Sequence, residues 1–148
     1  MVGLDTRAKP AAGSGWGKMV RMLRHALRPL LLVVGAYHLL LGLVMVVAPR
    51  SFFDQFAAYG GYNDHYIRDV ATFYLALGAV LLISVVRTAW RVPLLVFATI
   101  QYALHVGNHL WDVTDAEPGW LGPANVASLA LIGVVLWWML RRAGPAPG

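Results

Sequence analysis

The chain has no cysteine. Disulfides, thiol chemistry and Cys-ligated metals are therefore excluded, and with them the small four-helix thiol oxidoreductases that work with quinones. Charge is also scarce. Only 13% of the 148 residues are Asp, Glu, Lys or Arg, and acidic residues number 7 against 12 basic ones. None of these charges falls inside four long apolar runs, at 29–48, 70–86, 92–111 and 124–140. What is abundant is apolar surface: 59% of residues, with a mean hydropathy of +0.61. That composition belongs to membrane proteins.

A membrane span needs roughly 17–25 predominantly apolar residues, and all four runs reach that length. A water-soluble helical domain would show a polar stripe on every helix, whereas the second and fourth runs have almost none. The fold expected is an all-α, four-helix transmembrane bundle. The first run follows a basic segment and is long enough to be a retained anchor, since the apolar core of a cleaved signal peptide is shorter.

The few charges have a direction. Arg7, Lys9, Lys18, Arg21, Arg24 and Arg28 precede the first run, Arg87 and Arg91 lie between the second and third, and Arg141 and Arg142 follow the fourth. Only Arg50 and Arg68 lie on the other side, together with Asp54, Asp64, Asp69, Asp112, Asp115 and Glu117. The positive-inside rule then places both termini in the cytoplasm and the chain in the plasma membrane as a multi-pass protein. Topology and anionic lipid account for the basic surplus, leaving nothing that requires nucleic acid.

Residues 1–15 are rich in Gly, Ala, Ser and Pro and read as a disordered tail, as do 143–148. Between them lies a membrane domain over 16–142. In 16–28, Lys18, Arg21, Arg24 and Arg28 recur every three or four residues among Met19, Met22, Leu23 and Ala26. This is the pattern of a basic amphipathic helix on the inner surface, a partner for anionic lipid, or of a charged flank that only sets orientation. In the first run, Gly35, His38 and Gly42 share a face suited to close helix contact, and His38 reads as a neutral histidine bonded across that interface. The connection 49–64 holds Phe52, Phe53, Phe56, Tyr59 and Tyr62, an interfacial belt. A short helix over 50–59, ended by Gly60-Gly61, is expected there. Asn63 or Asp64 caps the next helix.

The most informative feature lies in the third run. Gln101, His105, Asn108, His109 and Asp112 fall within a helical face about 100° wide. Polar groups in hydrocarbon are costly unless they face protein or water, so this stripe is the leading candidate site. His105 and His109 lie roughly 20 Å and 26 Å along the span, level with the polar start of the second, where His65, Arg68 and Asp69 stand. A short turn joins the two spans, which predicts antiparallel neighbours whose polar faces meet.

Several chemistries fit that pattern. His105 and His109 at i and i+4, with Asp112, form a candidate site for a divalent metal, though no Glu completes a zinc-protease motif. Alternatively His65, Arg68, Asp69, Gln101 and Asn108, with Tyr74 and Tyr102 lining the site, bind a small amphipathic molecule or a lipid headgroup. Haem held by His38 and His105 is a further option, opposed by a depth difference of about 7 Å. The plain alternative is a hydrogen-bond network that sets helix register.

The segment Tyr62-Asn63-Asp64-His65-Tyr66-Ile67-Arg68-Asp69-Val70, followed by His105 and His109, resembles a group of small actinobacterial membrane proteins. In that group a Tyr/Phe-Asn-x-His-x-x-Arg-Asp segment opens the second span and paired histidines sit late in the third. The layout is similar to the DoxX-like four-helix families. The resemblance covers the second and third spans and implies a four-span fold with a site at these residues, but no particular chemistry. Whether the chain is an enzyme is left open. The function expected is an outer-leaflet polar site for a small molecule, headgroup or metal. The alternative is a structural or accessory subunit that packs on a membrane partner or on its own copies.

Overall fold

The computed structural model describes the backbone of residues 15–143 and the side chains of residues 26–143. The rest of the two expected tails, and the side chains of the basic segment up to residue 25, lie outside the described residues. The order is α1 (Gly15–Val47), α2 (Pro49–Phe56), α3 (Asp64–Val86), α4 (Arg91–Trp111) and α5 (Leu121–Ala143), with a 3-10 turn, Thr88–Trp90, between α3 and α4. Among the described residues the regular elements are all helical. A single antiparallel bridge, Tyr59 to Ala116, joins the two longer connections.

Three helical stretches are long and apolar enough to cross a membrane: Ala26–Val47 in α1, Asp64–Val86 and Leu121–Ala143. At 1.5 Å per residue each exceeds the ~30 Å of a hydrocarbon core. The chain is thus a multi-pass, all-helical membrane protein. Its exposed surface agrees, since Val33, Leu40, Val47, Leu104, Leu131 and Val134 all point outward. The fourth expected span coincides with α4, but Gln101, His105, Asn108 and His109 in its second half keep it out of that set.

α1 runs unbroken from Gly15 through Pro29. The basic segment is continuous with the first span, because proline's φ is already helical and the ring costs one backbone bond. α2 ends at Phe56, three residues short of the expected Tyr59. There the backbone leaves the helix to pair with the opposite connection: Tyr59 bridges Ala116, and the Glu117 N–H donates to the Ala58 carbonyl at 3.0 Å. Gly60 takes a positive φ of 67°, a conformation that favours glycine. The Asn63 side chain caps α3 by accepting from the Tyr66 N–H at 3.0 Å, as expected. At the far end Arg91 donates to the Ser84 and Val85 carbonyls, at 2.9 and 2.7 Å, and so closes the C-terminus of α3.

The helices associate as two pairs. α3 packs mainly on α1, and α5 mainly on α4, while the α3–α4 and α1–α5 contacts are thin. The expected neighbours α3 and α4 do touch, but three glycines make α1 the main partner of α3. A Cβ on Gly78 would lie 2.8 Å from both the Gly35 carbonyl oxygen and the Leu39 nitrogen. Gly35 and Gly42 receive Leu82 and Leu75 in the same way. Without a hydrophobic force between helices in lipid, such close backbone approach supplies the attraction. It turns the face of Ile67, Ala71, Tyr74, Gly78 and Leu81 toward the interior. The two pairs then close over Leu31, Leu77, Leu81, Leu95, Leu136 and Met139.

Gly78→Ala should therefore destabilise the protein by about 1–3 kcal/mol, because the new methyl meets backbone of α1 that cannot step aside. Gly107→Ala, with nothing within 4 Å, should be neutral or stabilising by up to ~1 kcal/mol. Thermal denaturation in detergent, followed by circular dichroism, measures both.

Candidate functional site

Polar side chains gather at two depths. The deeper group centres on His38, fully buried in the middle of the α1 span. The Val34 carbonyl, 2.7 Å from Nδ1, can only accept, so Nδ1 carries the ring proton. Nε2 then accepts from the Tyr102 hydroxyl at 2.7 Å. The ring stacks on Tyr74 at 5.8 Å between centroids and meets the edges of Tyr37 and Tyr102. Both ring nitrogens of His38 are thus engaged within the protein. The reading of a neutral histidine bonded across a helix interface holds, with α4 as the partner.

The second group stands at the C-terminal end of α4. Its rotation follows from the pairing with α5: Leu95, Ala98 and Tyr102 are buried, and Gln101, His105 and His109 are half-buried beside them. The two imidazoles stack at 4.9 Å and 25°, with their Nε2 atoms 3.1 Å apart. His105 Nδ1 lies 3.4 Å from Gln101 Nε2, and His109 Nδ1 lies 3.1 Å from the Tyr59 hydroxyl. Asn125, in the first turn of α5, donates to that hydroxyl at 3.2 Å and to the Phe56 carbonyl at 2.8 Å.

Donor rules give the chain one direction. An amide nitrogen can only donate, so Gln101 donates to His105 Nδ1, His105 Nε2–H to His109 Nε2, and His109 Nδ1–H to Tyr59. The Tyr59 oxygen accepts from both sides, and its own proton is free for another acceptor. Gln101 Oε1 is the exception: it is buried with no hydrogen-bond partner.

The remaining candidates fall elsewhere. His65 pairs with Asp69 at 3.4 Å and Arg68 with Asp64 at 2.9 Å, each along α3 and each exposed. Exposed pairs of this kind contribute ~0.3–0.5 kcal/mol. Their face lies opposite the one that packs on α1, so the expected meeting with His105, His109 and Asp112 is not formed. Asn108 is exposed. Asp112 is the residue at which α4 ends, with φ −99° and ψ 17°, and the chain leaves the histidine face there. Among the described residues no group of three or more His, Cys, Asp or Glu side chains is placed to hold a metal ion together.

Tyr59 and Asn125 escaped the sequence reading, which placed Tyr59 in an interfacial belt and saw almost no polar stripe in the last span. The signal present was Asn125 itself, an amide near the start of a largely apolar helix. An apolar cleft of about 360 Å³ between α4 and α5, lined by Ala103, Val106, Ala130 and Gly133 among others, includes neither histidine. No family model, curated protein or solved structure matches the chain.

Tyr102→Phe leaves His38 Nε2 buried without a donor and should cost about 1–3 kcal/mol. His38→Leu with Tyr102→Phe should cost less than the sum of the single changes, because the second change then orphans nothing. A double-mutant cycle on unfolding in detergent reads both quantities.

Proposed function

We propose that this is a four-span plasma-membrane protein, with α4 as the remaining crossing and both termini cytoplasmic. Its outer-leaflet polar site binds a small polar molecule, a lipid headgroup or a metal ion. The 21-residue length of α4, its packing on α5 and the one-sided basic residues support the topology. One observation carries the binding reading. A hydrogen-bonded run from Gln101 through His105 and His109 to Tyr59 begins on an amide whose buried oxygen has no partner. An orphaned acceptor of this kind costs about 1–3 kcal/mol, and a donor on a bound molecule would recover it.

In this arrangement His65, Arg68, Asp69 and Asn108 remain exposed apart from the run, and anionic lipid meets the basic inner side. Kinship with the DoxX-like group belongs to the same proposal and rests on the 62–70 segment and the histidine pair. A second reading, a structural or accessory subunit of a larger membrane complex, draws on the same bonds as a brace between the 57–62 segment, α4 and α5.

The two readings separate experimentally. Protein extracted with its native lipids should retain a low-mass ligand by native mass spectrometry. Tyr59→Phe or His109→Ala should lower its occupancy about tenfold, equivalent to ~1.4 kcal/mol, with helicity unchanged by circular dichroism. An empty wild type, with every variant losing stability, would favour the brace.

A further inference from the structure

We infer that His105 and His109 chelate a divalent transition-metal cation of the class of Zn²⁺ and Cu²⁺ through their Nε2 atoms. This rests on the binding-site reading above and names its ligand.

The first ground is distance. Two metal–nitrogen bonds of ~2.0–2.1 Å meeting at about 95–110° place their nitrogens roughly 3.0–3.4 Å apart. The two Nε2 atoms stand at 3.1 Å, one helical turn apart, with the rings already nearly parallel.

The second ground is the far side of each ring. A ligating histidine engages its other nitrogen with a neighbour, which orients the ring and sets its tautomer. His109 does so with Tyr59, leaving its Nε2 with a lone pair. His105 faces the Gln101 amide, whose two ends have nearly the same shape. On metal binding the amide turns over, its unpartnered Oε1 accepts from Nδ1–H, and the His105 ring proton shifts from Nε2 to Nδ1, which leaves the second Nε2 with a lone pair as well.

The third ground is charge. Arg50 and Arg68 are paired with Asp54 and Asp64, away from the histidines. The negative charge of Asp112, one turn on, acts at His109. Among the described residues no third protein ligand completes the shell, so the remaining positions fall to water or to a ligand carried with the ion. That openness distinguishes exchangeable metal sites from closed structural ones.

The test uses the full chain, tag-free, stripped with chelator and titrated with Cu²⁺ in detergent. Electron paramagnetic resonance of the wild type should show one equivalent of Cu²⁺ coupled to two imidazole nitrogens. Competition with Zn²⁺ should displace it. His105→Gln and His109→Gln should each remove one nitrogen coupling and weaken binding about tenfold or more, whereas His65→Ala should leave both unchanged. The nitrogen count on the wild type stands even where a variant misfolds. Binding unaltered by either glutamine variant overturns the assignment, as does a wild type that takes up no Cu²⁺. In the latter case, an organic ligand retained in native mass spectrometry preserves the site reading, and its absence overturns both.

Discussion

The bond between His38 and Tyr102 ties one helix pair to the other inside the hydrocarbon, and much of the architecture follows from satisfying it. Water is absent at that depth, so each polar atom must find its partner within the protein. His38 can be placed in the middle of α1 only because Val34 takes its proton and Tyr102 supplies another. Tyr102 must therefore face inward, which agrees with the rotation that the pairing with α5 gives α4. Once that rotation is set, Gln101 and His105 follow on the adjoining edge, and the polar residues of α4 end on protein rather than in lipid.

The local features of the chain were legible because they depend on near neighbours along the sequence. The Asn63 cap, the apolar stretches and the paired histidines of α4 all declare themselves in spacing and residue type. His38 was also legible, since a lone histidine among leucines admits few alternatives. What spacing cannot supply is the rotation of one helix against another. The face of His65 and Asp69 was correctly grouped, but it is left exposed because Gly78 draws the opposite face of α3 onto α1. Tyr59 and Asn125 come from a connection and a helix start, where periodicity carries no information about direction. Their meeting depends on a single backbone bridge between segments far apart in the chain.

The two polar centres differ in kind. At His38 every donor and acceptor is matched, and the rings around it exclude anything further. At His105 and His109 the network is drawn from α4, α5 and the connection after α2, and it leaves one oxygen unmatched and one hydroxyl proton free. A matched network holds a structure together; an unmatched one leaves chemistry for a visitor.

The glycine contact of α1 with α3 has a mechanical consequence. Where backbone touches backbone, sliding raises the energy at once, so these two helices behave as one stiff body, and α4 with α5 as a second. The thin seam between them is the softest direction in the molecule. Any breathing of the protein runs along that seam and swings about the His38–Tyr102 pin, opening most at the ends farthest from it. His105 sits beside the pin, its ring 6.4 Å from that of Tyr102, and His109 and Tyr59 lie farther out, so a small tilt moves the outer part of the site more than the inner.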